Sequence, residues 1–495
     1  MSRIIIQNGN MCELDLPLKF AQKLYNEFAI RHPNAFYLRT RQRGMQNWDG
    51  KIHYITKTGQ FKIGLLPKVY DMCIEMGIKP KVVDMRQPLP KVSKVVTNIG
   101  KYKLRPEQEK AVKSVINNRV GDTPFHIGVL DYTVNAGKTL IMSSLYLTYK
   151  KQLKTLLITN DSDWLNQARE EFKQYLPGED ITFVQGKVLN WSNFTIGMVQ
   201  SISRNMRFYQ KELSQIDMVL VDEADQGGSK QYQNVITRLF NTRIRIGLSG
   251  TIYMSKLAKD KVKNMNLECF FGKVIAEFKL KDSIKKGYST KTIVKMVPGK
   301  PWYGNWESDC ISYKEIYDDS ITENNTAWTM AYNRLRWNLN QGRYPALVVC
   351  KHIAHCENLY KFFKKKLGDA YNIAYVHVNT PSKLRQQIMK DFREGKIDIL
   401  VSTTIIARGK NFPKLRYLLN AASMDSQEKS IQFLGRLVRT DKSKKKVYLD
   451  DLHYPGPYLD RHGKHRKQYY QRQELKVILL DKLWKKHPNH SLIKS

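Results

Sequence analysis

The chain has 495 residues, of which 42% are hydrophobic and 26% are charged. These fractions exclude a disordered chain and leave room for roughly three domains, each with a core of its own. Lysine and arginine total 83 against 45 aspartate and glutamate residues, which gives a net charge of +38 at pH 7. This excess favours a nucleic-acid partner, because phosphates neutralised by basic side chains release counterions. A surface adapted for solubility is the alternative.

The cysteines and the apolar runs indicate the cellular compartment of the protein. The six cysteines are scattered without any C-x-x-C pair, so neither a disulfide framework nor a zinc site is indicated. The first residues lack the apolar run and cleavage site of a signal peptide, and we find no uninterrupted apolar stretch of roughly 18 residues. We therefore expect a cytoplasmic protein without a membrane span.

The first 95 residues predict a small α+β domain. Short runs rich in β-branched and aromatic side chains alternate there with apolar residues at helical spacing. The turn-forming segment Asn47-Trp48-Asp49-Gly50 predicts a hairpin between two strands. The predicted strands cover residues 4–6, 36–42 and 51–57, and the predicted helices cover 16–31 and a segment that begins at Pro67. Residues 79–100 contain three prolines and predict a linker.

Residues 100–272 and 326–452 each alternate apolar strands with helical segments. This pattern is typical of a parallel sheet with crossover helices, so the predicted fold class is α/β with two such domains in tandem. Residues 273–325 are predicted to be a connector, and residues 453–495 a basic helical tail. Strands are predicted at 155–159, 194–199, 218–222 and 245–250 in the first domain, and at 346–350, 372–378, 397–403, 417–422 and 446–451 in the second.

The segment Ala136-Gly137-Lys138-Thr139 follows an apolar run and indicates a phosphate-binding loop. In such a loop, backbone N–H groups and the lysine bind phosphates, and the threonine hydroxyl binds Mg²⁺. Tyr132 occupies the place of the first glycine in the usual G-x-x-x-x-G-K-[ST] pattern. For this fragment alone, a lysine at an ordinary helix N-terminus is an open alternative.

A second candidate site is the apolar strand 219–221 followed by Asp222, Glu223, Ala224 and Asp225. The carboxyl end of a buried strand can deliver Asp222 to Mg²⁺, and Glu223 can orient or deprotonate an attacking water. A strand that ends in a solvated acidic turn is the alternative. It loses weight because the strand follows the phosphate-binding loop at the distance that one α/β domain requires.

The third candidate is an arginine pair, Arg436 and Arg439, preceded by Gln432 and Gly435. Arginines at positions i and i+3 of a helix lie on one face and can bind one anion together. They could stabilise negative charge on a transferring phosphoryl group. A solvated basic helix is the alternative.

In this order, the three candidates resemble the motifs of superfamily 2 helicases over about residues 100–452. The resemblance implies two RecA-like domains, with ATP and nucleic acid bound across the cleft and with Mg²⁺ held by Thr139 and Asp222. The implied catalytic residues are Lys138, Asp222, Glu223, Arg436 and Arg439. The implied ATP-binding residues are Arg105, Gln108, Asn135, Ala136, Gly137, Lys138, Thr139 and Gly409. Ser249, Thr251 and Gln432 are implied to couple hydrolysis to the strand, and Gln200, Lys351, His355, Thr403 and Arg408 to contact it.

The N-terminal domain is similar to the accessory domain of phage recombination helicases, on the residues Arg41, Arg43, Trp48 and Lys51 and their surroundings. The resemblance implies branched DNA as substrate. We expect a monomer, with single-strand-binding and recombinase proteins as candidate partners. The cationic side chains could hold phosphates while Trp48 stacks on a base. A Trp48 that packs against its own turn is the alternative.

Several positions depart from the helicase pattern. Asn135 replaces a glycine of the phosphate-binding loop, but Asn tolerates left-handed backbone angles, so we expect the loop to form. Asn160 and Asp161 stand where the family has a Pro-Thr pair, and a carboxylate there would repel a DNA phosphate. Asn411 replaces an aspartate, which weakens the case for a charge-coupled switch at that position.

Two other functions remain open from the sequence. An RNA helicase is one, although the arginine motif lacks the His-Arg opening usual in that family. A DNA-binding scaffold with a weak ATPase is the other, but Lys138, Asp222, Glu223 and both arginines argue against it. A fused nuclease is not supported, because no acidic metal-binding cluster is evident outside the proposed ATP site.

Overall fold

The computed structural model describes residues 2–41, 45–149, 152–186, 190–252, 260–299, 312–407, 412–441 and 443–480. The chain divides into two compact units, residues 1–278 and 279–495. Each unit has its own parallel sheet.

Up to Asp84, the described residues of unit 1 form a mixed four-stranded sheet, a two-stranded sheet and short helices. The strand order of the four-stranded sheet is β5-β2-β1-β6, and β1 pairs antiparallel with β2 and parallel with β6. Ile4 and Ile6 point from β1 into the core. The elements are β1 (Arg3–Ile6), β2 (Met11–Asp15), α1 (Leu18–Glu27), β3 (Ala29–Arg31), α2 (Ala35–Arg41), β4 (Lys51–His53), β5 (Gln60–Lys62), α3 (Leu66–Glu75) and β6 (Lys81–Asp84).

Two predictions for this region are wrong. Of the strand predicted at 36–42, the described residues 36–41 lie in helix α2, in which the Thr40 hydroxyl donates to the Phe36 carbonyl. The strand β4 pairs instead with β3, so the partner of Lys51–His53 precedes the helix. The linker predicted at 79–100 contains β6, which extends the sheet beside β1.

The rest of unit 1 is a parallel sheet covered by helices. Its elements are β7 (Asn98–Ile99), β8 (Tyr102–Lys103), α4 (Pro106–Ile116), β9 (Arg119–Val120), β10 (Thr123–Pro124), β11 (Ile127–Tyr132), α5 (Lys138–Thr148), β12 (Thr155–Thr159), α6 (Ser162–Tyr175), β13 (Ile181–Val184), β14 (Phe194–Met198), α7 (Val199–Arg204), α8 (Gln210–Ser214), β15 (Met218–Asp222), α9 (Lys230–Ile236), β16 (Ile244–Ser249), α10 (Lys261–Phe271) and β17 (Val274–Phe278).

Within the described residues, the strands follow the order β13-β14-β12-β15-β16-β11-β17, and every pairing is parallel. The central strands are buried along their whole length. Helices cover both faces of such a sheet. These strands are therefore continuous apolar runs, without alternation of apolar and polar side chains. The parallel α/β prediction for this region is confirmed.

The two parts of unit 1 share one hydrophobic core, which includes Ile4, Leu65 and Phe271. Arg245 of β16 is fully buried at the junction, and its Nη2 donates to the Gly9 carbonyl at 2.5 Å and to Asn10 Oδ1 at 2.8 Å. Burial lowers the pKa of Arg245 to about 9. The N-terminal part is therefore packed onto the first parallel sheet and has no separate core.

Unit 2 contains the second parallel sheet. Its elements are α11 (Leu280–Lys285), β18 (Lys291–Pro298), α12 (Tyr313–Tyr317), α13 (Asn325–Asn340), β19 (Ala346–Cys350), α14 (Ile353–Leu367), β20 (Ile373–Val376), α15 (Ser382–Glu394), β21 (Ile399–Thr403), β22 (Tyr417–Asn420), α16 (Gln427–Leu437), β23 (Lys446–His453), α17 (Leu459–Arg472) and β24 (Val477–Leu479). The strand order is β20-β21-β19-β22-β23-β18-β24 among the described residues.

The connector and tail predictions need correction. Strand β18 lies in the predicted connector, yet it pairs with β23 along its whole length. Strand β24 lies in the predicted tail and pairs with β18. The tail helix α17 buries Arg466 completely, and its guanidinium forms an ion pair with the buried Asp451 at 2.9 Å. In its described part, the tail is therefore integral to unit 2. Among the described residues, no helix is long and apolar enough to cross a membrane.

Candidate ATP site and nucleic-acid interface

The phosphate-binding loop connects the end of β11 to the start of α5. Asn135 has φ 63° and Gly137 has φ 72°, so both adopt the left-handed conformation that asparagine and glycine tolerate. A side chain on Gly137 would collide with the amide of Gln108. Lys138 begins α5, and its Nζ lies 3.4 Å from the Tyr132 carbonyl. The loop thus places Lys138 and the N–H groups of the helix start at the carboxyl end of the sheet, as phosphate binding requires.

Tyr132 takes the glycine place because it belongs to the core. Its ring is fully buried at the end of β11, and its hydroxyl donates to the Glu107 carbonyl at 2.8 Å. Burial raises the pKa of this hydroxyl well above its usual value. The side chain therefore ties the start of the loop to helix α4, where a glycine would leave a void.

Gln108 joins the predicted adenine-reading segment to the loop. Its Oε1 accepts from the Arg105 backbone N–H at 2.8 Å, and its Nε2 donates to the Ala136 carbonyl at 2.8 Å. The side chain is almost completely buried. Arg105, Gln108 and Ala136, all predicted ATP-binding residues, thus lie together in one hydrogen-bonded arrangement.

Asp222 ends β15 and is only 5% exposed. Burial raises the pKa of its carboxyl, while the charge of Lys138 lowers it. Its Oδ1 is buried and has no hydrogen-bond partner among the described residues. A buried carboxylate oxygen without a donor fits a cation or a water bound to one, and Mg²⁺ is commonly held by one or two carboxylates together with substrate phosphates. In the described part of the chain, no group of three or more His, Cys, Asp or Glu residues could form an independent metal site.

Glu223 is held by a series of amide groups. It has a left-handed backbone, φ 52°, and its Oε2 accepts from Gln226 Nε2 at 3.4 Å. Asn160 donates from its Nδ2 to Gln226 Oε1, and Gln200 Nε2 donates to the Asn160 carbonyl at 3.3 Å. The structure therefore joins Glu223 to Asn160 and Gln200, and Asn160 is one of the positions that depart from the family pattern. The neighbouring Asp161 accepts from the Trp164 N–H and caps α6.

Two of the predicted coupling residues, Ser249 and Thr251, lie beside the acidic motif. Ser249 Oγ, at the end of β16, donates to Asp225 Oδ1 at 2.7 Å. Thr251 donates from its backbone N–H to Ser249 Oγ at 3.1 Å. A displacement of the loop after β16 would thus also displace the acidic motif that follows β15.

In unit 2, the arginine motif lies at the end of α16. Arg436 is in the last turn of the helix, and Arg439 follows it by three residues, beyond the helix end at Leu437. The expectation that both lie within one helix is therefore wrong for Arg439, which lies two residues beyond the helix end. Both side chains and that of Gln432 are half-buried. The Arg439 carbonyl accepts from the Thr290 hydroxyl at 3.2 Å, which fixes the end of the motif against the start of β18.

The predicted strand contacts of unit 2 are only partly exposed. His355 is 1% exposed and packs against Tyr317, and burial lowers its pKa to about 3. It is a neutral core residue, so its assignment as a DNA contact is wrong. Lys351 is half-buried, with its Nζ 4.1 Å from the centre of the Tyr313 ring. Thr403 ends β21 and is buried. The predicted residues Arg408 and Gly409, and Arg43 of unit 1, lie outside the described residues.

Among the N-terminal residues, Trp48 packs against its own turn. Its Nε1 donates to the Lys51 carbonyl at 2.9 Å, and its ring meets His32 edge to face at 5.7 Å. The exposed aromatic side chains of this region are Phe36 and Tyr37, which are 80% and 55% exposed. Sequence reasoning missed them because it assigned them to a strand. Arg41 and Lys51 are exposed.

Comparison with known families identifies the class of protein. The family model described as "Type III restriction enzyme, res subunit" matches residues 101–254, and "Helicase conserved C-terminal domain" matches 330–441. These two matches fall on the two parallel sheets. The chain belongs to the superfamily 2 helicases, which are ATP-dependent enzymes, and it has two RecA-like domains in tandem.

The chain is similar to the ATP-dependent DNA helicase uvsW of Enterobacteria phage T4, with 22% identity over 436 residues that cover 82% of each protein. Two solved structures share the fold. The ATP-dependent Type ISP restriction-modification enzyme LlaBIII bound to DNA has a TM-score of 0.56 and 15% identity, over 82% of this chain and 34% of that one. Dbp5 of S. cerevisiae bound to RNA and ADP BeF3 has a TM-score of 0.52 and 14% identity, over 77% and 92%.

Proposed function

We propose that this helicase acts on branched DNA, such as forks, Holliday junctions and displacement loops, in phage recombination, repair and replication. The observation that carries the proposal is the similarity to a phage DNA helicase along 82% of both chains, a longer span than residues 101–254 and 330–441 that the two family models match. The charge of +38 supports a nucleic-acid substrate. We further propose that the protein works as a monomer beside single-strand-binding and recombinase proteins.

The proposed ATP site uses residues whose surroundings are described above. Lys138 and the N–H groups at the start of α5 would bind the phosphates, while Arg105, Gln108 and Asn135 shape the loop around them. Mg²⁺, when bound to Thr139 and Asp222, would neutralise charge that develops on the phosphate oxygens. Glu223 would accept a proton from the attacking water or orient it. Arg436 and Arg439 are proposed to stabilise the transferring phosphoryl group.

Unwinding of a fork, a Holliday junction, a plain DNA duplex and a forked RNA duplex, side by side with ATP, tests the proposal. We expect the two branched DNAs to be processed faster than the plain duplex and the RNA. Equal rates on all DNAs would refute the preference for branches, and faster unwinding of the RNA fork would favour an RNA helicase. Lys138→Ala and Glu223→Gln are the controls, and DNA-stimulated hydrolysis that survived in both would refute the assigned ATP site.

A further inference from the structure

A cleft lies beside helix α2 in the N-terminal part of unit 1. Its volume is about 610 Å³, and it is lined by residues of α2, of the end of β3 and of the start of β4. This volume lies within the range of sites that bind organic ligands. None of the motifs of the ATP site contributes to it.

One wall of the cleft is an exposed aromatic ring. Phe36, Arg39 and Thr40 occupy positions i, i+3 and i+4 of α2 and all line the cleft. Phe36 is 80% exposed, although a phenylalanine gains most from burial. Beside it, Tyr37 is 55% exposed and lies 5.0 Å below the guanidinium of Arg41. The helix therefore presents flat apolar faces and cations together.

The other walls carry positive charge. Arg31, Arg39 and Lys51 line the cleft and form no salt bridge within the described residues. The one carboxylate among the lining residues, Asp49, is engaged by the His53 ring at 2.7 Å and by the Lys51 backbone N–H at 2.9 Å. The cleft thus carries a net positive charge around an aromatic face, from three cations against one carboxylate.

We propose that this cleft binds an unpaired nucleotide of the DNA substrate, with its base stacked on Phe36 and its phosphates held by Arg31, Arg39 and Lys51. Bases in a duplex are already stacked and offer no free face, whereas an unpaired base at a junction does. The cations match the phosphates that flank such a base. This inference rests on the proposed function, because it gives the nucleic-acid substrate a specific binding site in place of the predicted Trp48.

Substitutions at Phe36 test the stacking. Phe36→Leu keeps an apolar side chain but removes the ring, whereas Phe36→Trp enlarges the ring. We expect Phe36→Leu to weaken binding of a fork with unpaired arms by about 5- to 150-fold, the loss that one base–aromatic stack represents. Blunt duplex of the same length should bind with nearly unchanged affinity, and Phe36→Trp should bind the fork at least as tightly as the natural protein. Phe208→Leu is the matched control, because Phe208 is 75% exposed in the same unit.

Binding is measured by fluorescence anisotropy on the full chain, after thermal melting has established that each variant folds. A 2-aminopurine base in the unpaired arm should be quenched by the natural protein and less by Phe36→Leu. An equal loss of affinity for fork and duplex in Phe36→Leu would overturn the stacking site. Unchanged fork affinity in this variant would also overturn it, and would leave the cleft as a surface for a protein partner. ATP hydrolysis by the natural protein with saturating fork DNA separates the two proposals. Its absence refutes the proposed function, whereas its presence together with unchanged fork affinity in Phe36→Leu refutes only the cleft.

Discussion

Replacing Tyr132 with glycine would restore the usual phosphate-loop pattern, yet we expect it to destabilise the protein. The ring fills the space between the end of β11 and helix α4, and its hydroxyl donates to the Glu107 carbonyl. Truncation of a buried aromatic side chain costs about 3–5 kcal/mol. Glycine in a strand costs about 0.5–1 kcal/mol more than alanine, and the lost hydrogen bond about 0.5–1.5 kcal/mol.

Together these terms predict a loss of about 4–7.5 kcal/mol in the free energy of unfolding, comparable with the whole stability of many domains. Tyr132→Phe keeps the ring and should cost only the hydrogen bond, about 0.5–1.5 kcal/mol. Thermal unfolding followed by circular dichroism, together with binding of a fluorescent ATP analogue, measures both effects. We expect Tyr132→Gly to melt at least roughly 8 °C lower and to bind the analogue weakly. A Tyr132→Gly protein that melts and binds like the natural one would refute the argument that the ring anchors the loop.

Three further predictions follow from single contacts. Burial lowers the pKa of His355 in the folded state to about 3, so the folded state resists its protonation. The free energy of unfolding should therefore fall by about 2 kcal/mol between pH 7.5 and pH 5 because of this residue. In urea unfolding, His355→Gln should reduce this dependence of stability on pH, and it should leave DNA affinity unchanged. Arg466→Met leaves Asp451 buried without its cation and should cost about 3–5 kcal/mol, whereas the exposed Arg461→Met should cost under about 0.5 kcal/mol. Gln226→Ala removes the amide that donates to Glu223 and should lower kcat for DNA-stimulated ATP hydrolysis about tenfold, with KM for ATP unchanged.

Each of these has a contrary outcome. If His355→Gln left the pH dependence of stability unchanged and weakened DNA binding, His355 would be assigned to the nucleic-acid interface after all. Equal melting temperatures for Arg466→Met and Arg461→Met would mean that the buried ion pair adds nothing that methionine cannot replace. If Gln226→Ala raised KM for ATP but left kcat intact, the amide would serve nucleotide binding and not the position of Glu223.

The parallel sheets were predictable because fully buried strands are recognisable as uninterrupted apolar runs. Thr155–Thr159 and Ala346–Cys350 are strands with the predicted bounds, and Asp222 ends its strand as expected. The left-handed backbone of Asn135 is also one that its residue type tolerates. Local sequence carries this information, since burial on both faces and turn preference act within a few residues.

The incorrect predictions concern long-range packing. Phe36 and Tyr37 are aromatic residues typical of strands, but the partner of β4 precedes them along the chain, and residues 36–41 lie in a helix. The polarity of His355 gave no sign of burial, because its environment is built by distant segments such as Tyr317. Strands β18 and β24 were missed for the same reason, since each is defined by a partner far away in sequence.

The position of β18 has a consequence for synthesis on the ribosome. Its buried side chains include Val294, Met296 and Val297, but its neighbours in the sheet begin at Lys446 and Val477. At about 5–20 residues per second, the first of these partners emerges roughly 7–30 s later. During that interval an apolar strand has neither of its edges paired, which is the condition that favours aggregation of nascent chains. Slower-growing, cooler cultures or added chaperones should therefore improve the soluble yield of the second unit more than that of the first, which is complete by Phe278.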